Sequence, residues 1–142
     1  MNPPVSDPAG AAFDVAELFL GDNEDLLWLT LGFASLSEPL DVLHIACGKA
    51  ATGVAEEDAL YLERTDQDLA CSGQVLIIEI RDDGVELCLT TEGRAALGLP
   101  HHTRFTFHEH PELFTQVAAQ LARMAACGQS CIVIPDMAGD HS

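Results

Sequence analysis

Positive charge is what this chain has least of. Its 142 residues hold 6 Lys and Arg against 23 Asp and Glu, a formal net charge of -17 and an isoelectric point near 4.3. A surface of that sign repels nucleic acid and anionic membranes, which excludes both as direct partners. Long apolar runs are also missing, since none approaches the roughly 20 residues of a membrane span. The first residues, Met1-Asn2-Pro3-Pro4-Val5-Ser6-Asp7-Pro8, hold neither a basic nor an apolar signal segment. The five cysteines, Cys47, Cys71, Cys88, Cys127 and Cys131, are odd in number and scattered, which argues against a disulfide framework. A cytoplasmic protein with reduced thiols is the expectation.

Catalytic signatures are lacking as well. There is no G-x-S-x-G elbow. Gly48-Lys49-Ala50-Ala51-Thr52-Gly53 carries a lysine among glycines but not the phosphate-loop spacing. Cys127 and Cys131 stand four apart, matching neither a redox pair nor a zinc pattern. Asp22-Asn23-Glu24-Asp25 gathers hard oxygens without the central glycine and terminal glutamate of a calcium loop. Among His101, His102, His108 and His110, the last two share a strand face at i, i+2 and can grip one metal. No third ligand is fixed by spacing, and Pro111 makes His110 a helix cap. These histidines read as a polar edge, and no metal, cofactor or catalytic residue is assigned.

The chain does have the means to fold. It is 48% hydrophobic, with a mean hydropathy of +0.16, so the acids must decorate a real core rather than a disordered tail. Its length suits one domain. Residues 1–10 and 136–142 are expected to be flexible tails around a single domain over 11–135. Residues 13–20 fit a strand or a helix, and pair economically with the apolar run 26–33 as a hairpin across the turn 21–25. Further strands are expected at 40–46, 59–65 and 103–108, with an edge strand near 131–134. Residues 74–90 form the clearest local signal. Two β-rich runs flank Asp83-Gly84, a favoured hairpin loop. That loop places Arg81 opposite Glu86, Ile80 opposite Leu87 and Ile78 opposite Leu89. Leu76, Ile78, Ile80, Leu87 and Leu89 then form one apolar face. Thr91 to Leu97 suits a short helix stopped by Gly98. Pro111 opens a longer one with a stripe of Leu113, Phe114, Val117, Leu121 and Met124. The expected fold is α+β, an antiparallel sheet of about six strands with one long and one short helix on one face.

The acids are unevenly spread, with -12 over residues 1–72 and -5 over residues 73–142. Two patches stand out: Asp22, Glu24 and Asp25, and a second through Glu56, Glu57, Asp58, Glu63, Asp66 and Asp68. If their strands share a sheet, both patches meet at one rim and make a docking surface for a basic partner. Charge of this kind speeds association and sets orientation, while a buried ring carries affinity. Trp28 and Tyr61 are the candidate rings, with Trp28 reading first as core.

Residues 59–126 resemble the immunity proteins of bacterial polymorphic toxin systems, in particular the immunity protein 10 family. The likeness runs through Leu60-Tyr61-Leu62-Glu63-Arg64, the hairpin 74–90, Arg94-Ala95-Ala96-Leu97-Gly98-Leu99, the strand 103–107 and the helix 113–124. The acidic turn before the apolar strand at 26–33 is similar too. The resemblance implies a non-enzymatic cytoplasmic antitoxin that blocks a cognate secreted toxin. The acidic surface suits a basic, nucleic-acid-handling toxin. The competing expectations are an acidic secretion chaperone or adaptor for an effector, and a small metal- or ligand-binding protein.

Overall fold

The computed structural model describes residues 10–35, 40–65 and 69–135. The strands are β1 (Gly10–Asp22), β2 (Leu26–Phe33), β3 (Asp41–Gly48), β4 (Tyr61–Arg64), β5 (Leu69–Ser72), β6 (Val75–Arg81), β7 (Gly84–Leu89), β8 (His102–Thr106) and β9 (Ile132–Val133). The helices are the single turn α1 (Ala55–Asp58), the short α2 (Thr91–Leu97) and the long α3 (Pro111–Ala126). The α+β class is as expected. The sheet is not the expected one: among the described residues it has nine strands in the order β5-β4-β3-β2-β1-β8-β7-β6-β9. Nor is it wholly antiparallel, because β1 runs parallel to β8 and β6 parallel to β9. The expected tails lie outside the described residues, apart from Gly10, which opens β1.

β1 joins two half-sheets. Its first residues pair with β8, from Gly10 opposite His102 to Asp14 opposite Thr106. From Val15 onward it pairs with β2 instead, and the register shifts between Val15 and Glu17. A bulge at such a crossing bends the strand and increases its twist. Asp14 secures the crossing. Its carboxylate accepts from Thr106 Oγ1 at 2.6 Å and from the His108 amide at 2.7 Å.

Both halves turn the same kind of face inward. Leu29, Leu31, Leu43 and Ile45 from one half meet Ile78, Val85, Leu87 and Phe105 from the other, with Val117 and Leu121 of α3, around one small apolar gap. All ten belong to the buried core. Phe13, Phe33 and Phe105 stack at the junction, with centroids 4.8 to 6.1 Å apart. α2 is capped by Thr90, whose hydroxyl accepts from Gly93 N, and it ends in left-handed Gly98.

The hairpin of β6 and β7 corrects the expected register. Arg81 pairs with Gly84, Ile80 with Val85 and Ile78 with Leu87, so the turn is Asp82-Asp83. Asp82 supplies the positive φ, at 56°, which aspartate tolerates better than most residues. Gly84 is needed for a different reason. A Cβ there would stand 2.8 Å from Arg104 Nη2 and 2.9 Å from the Phe105 carbonyl oxygen. The slip of two residues leaves Ile78, Ile80, Leu87 and Leu89 on the buried face. Leu76 leaves it, because a bulge between Val75 and Ile77 turns it out to 55% exposure.

One buried ion pair ties the halves together. Asp41, only 1% exposed, receives the Arg64 guanidinium through Nε at 3.1 Å and Nη2 at 2.7 Å. Thr65 Oγ1 donates to the same carboxylate. The remaining donor, Arg64 Nη1, reaches the Leu97 and Gly98 carbonyls at 3.0 and 2.9 Å. β3, β4 and the end of α2 are thereby joined through one guanidinium.

Candidate partner-binding surface

Of the two acidic patches, the first sits on the β1–β2 turn, against a loop that the second reaches through Asp58. The β1–β2 turn and the loop after β3 touch where the Lys49 amide donates to the Asp25 carbonyl at 2.8 Å. Lys49 Nζ also pairs with Asp22 at 2.8 Å. Glu24, Asp25 and Leu26 on one side and Gly48 to Thr52 on the other line a groove of about 540 Å³. Asn23 shapes the turn, since its side-chain oxygen accepts from the Asp25 and Leu26 amides, both at 2.8 Å. Glu24 and Asp25 are exposed on this Asx turn.

The acids singled out in the sequence divide by what they already hold. Asp22 is committed to Lys49 and, at 3.1 Å, to Arg123 of α3. The Lys49 hydrogen bond leads the effects that hold its carboxyl below the ordinary range. Asp58 clamps its own loop, accepting from the Thr52 amide and hydroxyl and from the Gly53 amide at 2.7 to 3.0 Å. Those bonds, the Thr52 amide first, hold its pKa down. Glu63 accepts the Tyr61 hydroxyl at 2.6 Å, a bond that pushes the tyrosine pKa up. Glu56 and Glu57 sit on the backbone of α1. Asp66 and Asp68 lie outside the described residues. Glu24 and Asp25 are exposed.

The surface beside this rim is the outer face of β1–β4. Strand alternation turns Leu27, Leu29 and Leu31 inward and Trp28 and Thr30 outward. The registers then set two cross-strand rows. Phe19, Thr30, His44 and Glu63 lie side by side, and so do Gly21, Trp28, Ala46 and Tyr61. Thr30 Oγ1 and His44 Nδ1 are bonded at 2.8 Å. Trp28 covers Gly21: a Cβ on that glycine would lie 2.7 Å from Trp28 Cζ2 and 3.1 Å from its Nε1. From the inner side, buried Gln120 of α3 donates to the Gly21 and Trp28 carbonyls at 3.0 and 2.9 Å. The expectation of Trp28 as core is therefore replaced by a half-buried ring on an open face. Nothing in the sequence singled out Phe19, Glu17 and His44. The bulge in β1 breaks the alternation that would have marked Phe19 and Glu17.

The histidines do not gather. His102 bonds Glu86 at 2.6 Å, His101 the Leu89 carbonyl at 2.9 Å, and His110 lies 3.5 Å from Glu112. Among the described residues no group of three or more His, Cys, Asp or Glu is placed to hold a metal. Burial pushes Cys47 up to about 11, and burial also raises Cys71, Cys88 and Cys131. No helix among the described residues is long and apolar enough to cross a membrane. Compared with known proteins, the chain matches no family model, no curated protein and no solved structure.

Proposed function

We propose that this chain is an immunity protein, an inhibitor that binds a basic toxin domain and covers its active site. The observation that carries the reading is the acidic rim, where the β1–β2 turn and the loop after β3 meet with Glu24 and Asp25 directed to solvent. Carboxylates presented this way compete with phosphate for the lysines and arginines by which a nucleic-acid-targeting enzyme holds its substrate. Inhibition by occlusion needs no catalytic group on the inhibitor. The step from acidic docking protein to antitoxin rests on the resemblance over residues 59–126 together with the charge.

The test is affinity capture of the tagged chain from producing cells, at low and then high salt, followed by neutralisation of the isolated toxin domain. The expected result is one stoichiometric basic partner that is released by salt and loses its toxicity on mixing. The double variant Glu24→Lys, Asp25→Lys should slow association by about tenfold at low salt and leave folding unchanged. Association at the unaltered rate refutes docking through the rim. The open sheet face also suits an export adaptor that grips a segment outside the catalytic domain. Capture of a partner whose isolated domain stays toxic selects that second reading.

A further inference from the structure

The outer face of β1–β4 carries exposed apolar side chains around the bonded Thr30–His44 pair and is covered by no described element. Phe19 is 61% exposed, Leu40 50% and Leu26 44%. Small residues keep the face flat, with Gly21 beneath Trp28 and Gly32 beneath Leu40, whose Cδ1 would lie 3.5 Å from a Cβ at that position. Ala46 separates Trp28 from Tyr61 in the same row. Exposed apolar surface of this kind, rimmed by polar groups, marks interaction sites.

The charges around it are of one sign. Glu17 projects from β1 and Glu63 from β4, while Glu24 and Asp25 close the end near Trp28. None of the four is in an ion pair among the described residues. The nearby cations are spent. Lys49 and Arg123 are held by Asp22, and Arg64 by buried Asp41. A second copy of this chain would bring the same carboxylates against themselves, a juxtaposition that penalises wrong partners. Nucleic acid and anionic lipid fail on the same ground.

We infer that the affinity of the complex resides on this face, with Phe19, Trp28 and Tyr61 as anchors, and that its occupant is a basic protein offering an apolar centre ringed by lysine and arginine. The inference rests on the inhibitor reading in taking the partner to be a basic protein, and it adds where that partner sits. The rim then governs the association rate and the rings govern dissociation. Trp28 is the sole tryptophan, so its fluorescence reports on the anchor itself.

The test places a photo-cross-linking phenylalanine analogue at Phe19, Tyr61, Ala51 or Ile77 of the full chain, with irradiation in producing cells. Ala51 samples the rim loop and Ile77 the outer face of the other half-sheet. The expected result is one basic protein cross-linked from Phe19 and Tyr61 and not from Ile77. With that protein in hand, Phe19→Ser and Gly21→Ala should each raise Kd at least tenfold through faster dissociation, with an unchanged thermal midpoint for Phe19→Ser. Cross-linking to the same protein from Ala51 alone would overturn the inference and leave the rim intact. Cross-linking only from Ile77, or only to a second copy, would overturn it as well. No protein cross-linked from any position would remove both the inference and the inhibitor reading beneath it.

Discussion

Asp41 offers the sharpest quantitative test of how this fold is held. Burial alone would raise its pKa, but the bonds from Arg64, Thr65 and Ser35 more than offset that, leaving it at about 2 against an ordinary 3.8. A depressed folded-state pKa means that the carboxylate contributes stability above the unfolded value. That contribution disappears as pH falls from about 4 to about 2. Its size is about 2 kcal/mol, because each tenfold gain in acidity on folding is worth about 1.4 kcal/mol. Asp41→Asn should therefore lose at least that much at pH 7, and the gap to the parent chain should shrink by about 2 kcal/mol at pH 2. Asp14 and Glu86, also held below their ordinary range, titrate alike in both proteins and cancel in the difference. Arg64→Met is harsher, since it leaves a 1% exposed carboxylate without its cation. The expected loss is about 3–5 kcal/mol, or a fall in Tm on the order of 10 °C or more for a chain of this size. Urea denaturation followed by far-UV circular dichroism at pH 7, 4 and 2 reads these differences. An Asp41→Asn deficit that stays constant from pH 7 to pH 2 would refute the argument.

The hairpin register and the thiols give two further checks. Gly84→Val should cost about 1–3 kcal/mol by driving Cβ into the Arg104 guanidinium and the Phe105 carbonyl, while Asp82→Gly should be neutral or stabilising by up to about 1 kcal/mol. Gly84→Val is costly in either register, so Asp82→Gly discriminates: a clear loss of stability on thermal unfolding would refute the Asp82-Asp83 turn. Cys71, Cys88 and Cys131, raised by burial, should react slowly with an aromatic disulfide reagent in the folded protein near neutral pH, and Cys47, held at about 11, should be the slowest. All four should react at once in denaturant, and a fast thiol among them in the folded state would contradict the burial that raises their pKa.

What the sequence displayed, and what it hid, follows from the range of the interactions. Residues facing the core in β6 and β7 were legible because side-chain alternation has period two, and the true register differs from the expected one by two residues. An even slip preserves the faces, and Leu76 alone among the expected apolar set departs, turned out by the bulge. The turn itself was misread because glycine serves close approach as often as positive φ, and the group it must approach, Arg104, lies twenty residues away. Helices α2 and α3 carry their own caps and stops, so both were found. β5 was not. Leu69-Ala70-Cys71-Ser72 has little strand propensity and is extended because Leu62 and its neighbours in β4 pair with it. The parallel pairs β1–β8 and β6–β9 leave no local trace, since nothing in the sequence around Gly10 points to its distant partner His102.

The acidic surface shows the same limit in electrostatic form. Composition fixes the net charge of -17, but a partner does not meet the sum. It meets the carboxylates that folding has left unpaired. Asp22 looked as available as Glu24 in the sequence, yet the fold brings Lys49 and Arg123 onto it from far along the chain. Asp58 stood in the second patch on equal terms with its neighbours, yet its oxygens are filled by Thr52 and Gly53. Reversing Asp58 would break a loop before it tested any docking, whereas reversing Glu24 and Asp25 changes only what a partner sees. With so few cations in the chain, each one consumed by Asp22 or Asp41 leaves the outer face of β1–β4 more uniformly negative. Placing those bases under the rim and inside the fold concentrates the uncompensated charge of Glu17, Glu24, Asp25 and Glu63 around the rings of Phe19, Trp28 and Tyr61. That concentration, rather than the net charge, gives the surface its direction.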